Sequence, residues 1–145
     1  MHGFMRKAVL ALSTAAAIAG SIAVTGPADA ASSPIAACGG GSYHVIGHHD
    51  LGKIATVYLL YNGRTDCVVT WKKRAYVGKR TKMLASIAKN TGTTKHYNFK
   101  YTNNYGTYGT YAGPVKVTAP HTCIDWGGGT GPGWKVWYSG PSHCG

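Results

Sequence analysis

The chain has 145 residues and a formal charge of +11, because 15 Lys and Arg residues face four acidic residues, all of them Asp. It contains 21 Gly, ten Tyr and four Trp. This length limits the chain to about one domain, and the composition excludes a disordered protein, a coiled coil and a polytopic membrane protein.

Residues 1–30 have the three parts of a secretory signal peptide. Arg6 and Lys7 precede an uncharged run over residues 8–24, and Ala28-Asp29-Ala30 is a small-residue cleavage site. The alternative is a transmembrane anchor, but the run is short and rich in small residues. We therefore expect cleavage after residue 30 and a secreted, extracellular mature protein without a transmembrane segment.

The mature chain is strongly basic. Without residues 1–30 it carries 13 basic and three acidic side chains, a formal charge of +10, and ten of the 13 are Lys. Such a charge attracts polyanions, including an anionic cell-wall or spore-surface polymer. Because Arg favours bidentate phosphate recognition more than Lys does, nucleic acid is not expected as the physiological partner.

The four cysteines all follow the expected cleavage site, and an even number in a small secreted domain predicts two disulfides. Of the three possible pairings, we favour Cys38 with Cys67 and Cys123 with Cys144, since each closes a short loop within its own half of the chain. The competing zinc site needs closely spaced ligands, and no two cysteines are closer than 21 positions. No metal or cofactor is expected.

The first half of the mature chain predicts a tail, a weak strand and a hairpin. Residues 31–37 are expected to form a flexible N-terminal tail, and residues 38–145 a single disulfide-stapled β domain. Weak alternation predicts a short strand over Ser42–Gly47. Ile54–Tyr61 is apolar on both alternating faces, and after an Asn-Gly turn the chain returns as Cys67–Trp71. These two runs predict an antiparallel hairpin inside a sheet.

The segments between residues 82 and 117 have less regular patterns of apolar residues. Lys82–Lys89 fits either a helical turn or a strand, since periodicity does not decide between them. His96–Tyr101 predicts a strand whose three aromatic residues lie on a buried face, ending at Asn103–Gly106. The Gly-Thr-Tyr triplets of residues 106–111 are interpreted as a loop, and Tyr111–Val117 as another strand entered at a Gly-Pro step.

The last segments complete the expected fold. Gly127–Gly133 is interpreted as a glycine-rich loop, without the Lys-Ser/Thr of a phosphate-binding loop. Trp134–Tyr138 predicts a final strand that alternates two faces. Seven to eight short strands without a long amphipathic helix predict an all-β fold, a small antiparallel sandwich or barrel.

Five blocks of the mature sequence are Ala55–Asn62, Asp66–Thr70, Tyr111–Val115, Cys123–Gly128 and His143–Gly145. In their order, and with the four cysteines, these blocks resemble the spore-associated protein A family of spore-forming filamentous bacteria. The resemblance implies an exported protein found with aerial hyphae and spores, without an established enzymatic activity.

The mature chain has too few acidic side chains to suggest an enzyme that uses paired carboxylates. Paired carboxylates for glycoside hydrolysis would have to come from Asp50, Asp66 and Asp125. Asp66 follows the hairpin turn and Asp125 lies two residues after a cysteine, and both are interpreted as ordinary turn and strand positions. The chain has no G-x-S-x-G elbow for acyl transfer. We therefore predict a non-enzymatic protein with a structural or binding role.

Three histidines near one aspartate form a candidate metal site. His44, His48, His49 and Asp50 are close in sequence, and imidazoles can bind zinc, copper or nickel. However, the segment reads as a strand and loop, without the helical i, i+4 spacing that brings two histidines onto one face. We interpret these residues as surface positions.

The segment Trp71–Lys82 is the candidate polyanion-binding site, because half of its twelve residues are basic. The alternative is a solvated strand end whose lysines protect a sheet edge. Tyr and Trp residues can stack on bases or sugars, but most are expected in the core. The basic cluster consists of Lys72, Lys73, Arg74, Lys79, Arg80 and Lys82.

Together these features favour a secreted protein of the spore or hyphal surface that binds polyanionic envelope components. Two alternatives belong to other classes. The charge would also suit a secreted cationic effector with antimicrobial action. Size, export and two disulfides would suit an extracellular protease inhibitor.

Overall fold

The computed structural model describes residues 31–145, so the expected signal peptide and its cleavage site lie outside the described residues. Within that range the chain forms eight strands in two four-stranded antiparallel sheets, which confirms the predicted all-β sandwich. No helix of residues 31–145 is long and apolar enough to cross a membrane.

The first sheet has the strand order β1-β2-β3-β6. Its strands are β1 (His44–Leu51), β2 (Ala55–Tyr61), β3 (Asp66–Lys72) and β6 (Tyr111–Val117). The predicted hairpin of β2 and β3 is confirmed, and the Asn62 side chain closes its turn by accepting hydrogen bonds from the N–H groups two and three residues later, at 2.9 and 2.7 Å.

The second sheet has the order β5-β4-β7-β8. Its strands are β4 (Thr81–Asn90), β5 (Phe99–Tyr108), β7 (Ile124–Thr130) and β8 (Lys135–Tyr138). Strand β4 therefore resolves the ambiguity between helix and strand. It lies at the centre of the sheet, where ladder hydrogen bonds to both neighbours favour the extended backbone.

The main core lies between the sheets. Alternate residues of β3 point inward, so that Asp66, Val68, Thr70 and Lys72 form one row, with a charged residue at each end of the sandwich. The Thr70 hydroxyl donates a 2.6 Å hydrogen bond to the Leu84 carbonyl and so joins the two sheets. The core residues include Val57, Leu59, Val68, Met83, Ala85, Ile87 and Trp126.

A short helix, α1 (Pro34–Cys38), covers the outer face of the first sheet. Part of the predicted flexible tail is thus ordered as a helical turn. The reason is local, since the Ser33 hydroxyl caps the Ala36 N–H at 3.1 Å and Pro34 occupies the first turn. The Cys38–Cys67 disulfide ties this helix to β3.

The second disulfide joins Cys123, just before β7, to Cys144 in the C-terminal segment. Both bridges therefore have the pairing that loop length favoured. The C-terminal segment also pairs with the sheet, because the backbones of Ile124 and Ser142 exchange two hydrogen bonds of 2.8 and 2.9 Å.

Four expectations for the second sheet were wrong. The first Gly-Thr-Tyr triplet, residues 106–108, is the end of strand β5 and not a loop, because it pairs with the start of β4. Strand β5 continues through Asn103–Gly106, paired with β4 along its whole length. Tyr101 and Tyr105 of this strand lie on the outer side of the sheet, where Tyr101 is 43% exposed, whereas Tyr108 packs against the core. Most of the Gly127–Gly133 segment belongs to β7. The strand contains glycines because neighbouring side chains from β3 and β8 leave no room for a Cβ atom.

Candidate functional site: an aromatic face beside a basic edge

The outer face of the second sheet carries exposed aromatic rings. Tyr101 and Tyr105 come from β5, Tyr138 from β8, and Trp134 immediately precedes β8. Their exposed fractions are 43, 58, 41 and 44%. We call these four residues the aromatic face. Rings of this size are usually buried in a small domain, and a contiguous exposed group of them marks an interaction surface.

The four rings form two pairs that reach across the sheet from its two edges. Tyr101 meets Tyr138 and Tyr105 meets Trp134, each edge to face with ring centres 5.8 Å apart. This geometry is the one that aromatic quadrupoles favour. The two pairs are four residues apart along β5, which corresponds to about 13 Å.

Glycines of β7 provide the floor beneath the rings. A Cβ atom on Gly129 would lie 2.9 Å from the Trp134 ring, and one on Gly127 would lie 2.7 Å from the Tyr138 ring. On β4, the Ser86 side chain is fully buried and bonded to the Asn103 amide oxygen at 2.5 Å. Gly127 and Gly129 therefore leave room for aromatic rings to lie over strand β7.

Asp125 holds the first aromatic pair in place. The Tyr101 hydroxyl donates a hydrogen bond to this carboxylate, which also accepts from the Ser139 hydroxyl at 3.2 Å and the Gly140 N–H at 3.0 Å. Burial, and then the contact with Asp125, raise the pKa of Tyr101 above its usual value of 10.0. Asp125 is therefore a positioning group whose hydrogen-bonding capacity is largely used within the protein.

The second aromatic pair borders a shallow groove of about 450 Å³. Its walls are Tyr105, Trp134 and the Gly131–Gly133 turn, and Lys82 lies beside them with Nζ 5.6 Å from the Tyr105 ring centre. Thr81 also lines the groove, but its hydroxyl is buried and has no hydrogen-bond partner among the described residues. The groove thus combines two aromatic rings and a cation.

The six residues of the basic cluster differ in how far they are exposed and in what they contact. Lys72 is 2% exposed, and its ammonium donates a hydrogen bond to the Lys79 carbonyl, so it cannot contact a polyanion. Its inward position on β3 explains this correction. Lys73 pairs with Asp50 at 3.1 Å, and the Thr56 hydroxyl and Lys73 together lower the pKa of that carboxyl.

The remaining members of the cluster are exposed, and two of them border the aromatic face. Strand β3 ends at Lys72, and a 3-10 helix at Arg74–Tyr76 turns the chain toward the second sheet. Arg80 then donates a 2.8 Å hydrogen bond to the Thr107 carbonyl on β5. Lys82 lines the groove, and Arg80 is bonded to β5 two residues from Tyr105; we call these two residues the basic edge.

The other candidate groups do not join this site. His48 and His49 lie on opposite faces of β1, where His48 is 6.5 Å from the Tyr58 ring centre and His49 stacks on Trp137 at 4.0 Å. His44 lies against Tyr61. Across residues 31–145, no three His, Cys, Asp or Glu side chains form a group that could hold a metal ion.

The comparison with known proteins assigns the chain to a family. It is 34% identical over 142 residues to Spore-associated protein A of Streptomyces coelicolor, an alignment that covers 92% of this chain and 85% of the relative. The chain belongs to the spore-associated protein A family. This member of the family matches no family model and no solved structure.

Sequence reasoning missed the aromatic face, although its signal was present. The predicted last strand alternates Trp134, Val136 and Tyr138 on one face with Lys135 and Trp137 on the other. This alternation alone does not say which face is buried. In the structure Trp137 packs against the core and the other three apolar residues are exposed. A glycine run opposite an aromatic strand is the signal that would have identified the outer face.

Proposed function

We propose that this protein is a secreted, non-enzymatic component of the spore or hyphal surface, and that its aromatic face and basic edge bind an anionic polysaccharide of the cell envelope. The relative's name, Spore-associated protein A, supports the location. The exposed pairing of Tyr105 with Trp134 beside Lys82 is the observation on which the binding proposal depends.

The aromatic pairs suit sugar rings. Tyr and Trp offer flat apolar faces with a polar group at one end, so they contact the apolar side of a sugar while its hydroxyls stay hydrated. Because the four residues are 41 to 58% exposed, these faces are available without a change in the fold.

The basic edge suits an anionic chain. Arg80 and Lys82 are exposed next to the groove, and the mature sequence carries a formal charge of +10. Charge draws the polymer to the protein over long distances, whereas ring contacts act only at the surface. The combination favours a charged polysaccharide over a neutral one.

The layout favours a polymer over a small sugar. The two ring pairs are about 13 Å apart along the strands, which exceeds the width of one sugar ring. The nearby carboxylate, Asp125, already accepts three hydrogen bonds from the protein, which supports binding without hydrolysis.

The experiment compares a double variant, Tyr105→Ala with Trp134→Ala, with the unchanged protein in sedimentation with purified anionic envelope polysaccharide. Loss of two stacking rings at about 1 to 3 kcal/mol each should weaken binding by at least tenfold. The control is Tyr76→Ala, which removes a ring from the basic cluster while keeping its charges. Thermal unfolding checks that each variant is folded.

Unchanged binding by the double variant would refute the aromatic face as the binding surface. Equal binding to anionic lipid vesicles and to polysaccharide, with no effect of the ring substitutions on either, would favour the cationic-effector alternative. Inhibition of serine proteases at stoichiometric amounts would favour the inhibitor alternative.

A further inference from the structure

A second concave surface lies at the end of the sandwich away from Lys72. It is a cleft of about 500 Å³ between the β2–β3 turn and the C-terminal segment. Asp66 lines this cleft, with Ile46 and Tyr61 on its walls. A volume of this order is typical of sites for small molecules.

Asp66 is unusual because the residue is 7% exposed and its carboxylate, which faces the cleft, accepts no hydrogen bond from any described group. It also forms no ion pair within 4.0 Å among residues 31–145. Burial raises the pKa of its carboxyl, and the positive charge of His143 acts in the opposite direction. A buried carboxylate without a partner is costly, and this cost is relieved when a cationic group binds to it.

The rim of the cleft carries one cation and two imidazoles. Arg64, His121 and His143 all line the cleft, and all three are exposed. Both histidines have positive φ values, 53° and 50°, a backbone conformation that is uncommon outside glycine and that concentrates at functional sites. The cleft therefore contains the Asp66 carboxylate, and its rim carries the Arg64 guanidinium.

We propose that this cleft binds a small zwitterionic ligand, a free amino acid or short peptide, whose ammonium group pairs with Asp66 and whose carboxylate lies against Arg64 and the rim histidines. A simple cation would be repelled by the rim and by the basic chain as a whole. A simple anion would leave the Asp66 carboxylate unpaired and would be repelled by it. A zwitterion can place its ammonium group against Asp66 and its carboxylate against Arg64 at the same time.

The first test is calorimetric titration of the disulfide-bonded secreted protein with three probes of nearly equal size. Alanyl-alanine carries both charges, its N-acetyl form lacks the ammonium group, and its C-terminal amide lacks the carboxylate. We expect saturable binding of alanyl-alanine, and affinities at least about tenfold lower for the other two probes, since each loses one charged hydrogen-bonded group.

The second test uses variants. Asp66→Asn should weaken binding of alanyl-alanine about tenfold or more, whereas Asp50→Asn, the same change at an exposed position on β1, should leave it unchanged. Arg64→Gln should weaken binding of alanyl-alanine but not of its amide. Asp66→Asn removes an unpaired buried charge, so its thermal unfolding temperature should not fall, and lost binding then reports the cleft itself.

Absence of saturable alanyl-alanine binding to the unchanged protein would overturn the proposal, as would equal affinity for all three probes or full binding by Asp66→Asn. The outcome is separate from that for the polysaccharide. The Tyr105→Ala, Trp134→Ala variant should bind alanyl-alanine like the unchanged protein, because the aromatic face and the cleft share no residues.

Discussion

At the scale of single residues, position in a strand decides what a charged side chain does. Lys72 and Lys73 are neighbours in the sequence, yet one is buried between the sheets and the other forms an ion pair with Asp50. Lys72 keeps its ammonium bonded to a backbone carbonyl while its stem packs in the interior. It is therefore a core residue that carries a charge, and it belongs to the stability of the fold.

Replacement of Lys72 by Met tests this role through pH. Burial, followed by the charge of Arg80, lowers the pKa of Lys72 below 10.5 in the folded state. Between that lowered pKa and 10.5 the unfolded chain holds a proton that the folded chain has released, so stability rises with pH in this window. In Lys72→Met this rise is absent.

The measurement is the free energy of urea unfolding from neutral pH to 10.5. The difference between the unchanged protein and Lys72→Met should shift in favour of the unchanged protein as pH rises. Lys53→Met, at an exposed lysine, should keep the original pH dependence. A constant difference across the range would contradict a lowered Lys72 pKa.

At the scale of strands, β7 shows glycine acting as a packing residue. All seven of its residues are buried, and three consecutive glycines let side chains from both sides approach its backbone. Gly128 faces the interior, where a Cβ atom would collide with the Thr70 hydroxyl and lie 2.8 Å from the Leu84 carbonyl oxygen. Gly129 faces outward, where a Cβ atom would lie 2.9 Å from the Trp134 ring.

Two matched substitutions should therefore differ. Gly128→Ala overpacks the interior and should lower the free energy of unfolding by about 1 to 3 kcal/mol or more. Gly129→Ala should cost less, because the Trp134 ring can move into solvent, and its main effects should be altered tryptophan fluorescence and weaker polysaccharide binding. Denaturant unfolding and emission spectra measure both. Equal stability losses would refute the assignment of inner and outer faces.

The hairpin of β2 and β3 was predictable because neighbouring residues determine it: two short runs rich in β-branched residues are joined by the Asn62 turn. The disulfide pairing followed from loop length. Strand β7 was not predictable in the same way, since glycine carries no pattern and its role depends on Trp134 and Tyr138, which follow it in the chain. The cleft also depends on the fold, because the residues that line it come from distant parts of the chain.

At the scale of the molecule, positive charge is spread over the surface, and the basic edge is distinguished by its neighbours. Lys82 lies over the Tyr105 ring, and the Arg80 guanidinium is bonded to a backbone carbonyl of β5. If the proposed binding is correct, charges near the rings act together with them, and remote charges contribute only through the general field.

Salt dependence separates these two contributions. Gln substitutions near the groove should reduce the slope of log affinity against log salt concentration by up to about three, and three remote substitutions should reduce it less. The test set is Lys79, Arg80 and Lys82, and the control set is Lys53, Lys95 and Lys116, which lies on the side of helix α1. Equal reductions would mean that the whole surface acts as one diffuse charge. Binding that salt does not affect would reject the electrostatic contribution.

The covered face of the first sheet has a consequence for orientation. Helix α1, fixed by the Cys38–Cys67 disulfide, packs on one broad side of the sandwich, while the other broad side bears the four exposed rings. If the aromatic face binds the wall as proposed, each molecule attaches in the same orientation. In a layer on a spore the helix-bearing side would then point outward, so the environment would meet α1 and the outer side chains of β1 while the rings stay against the wall.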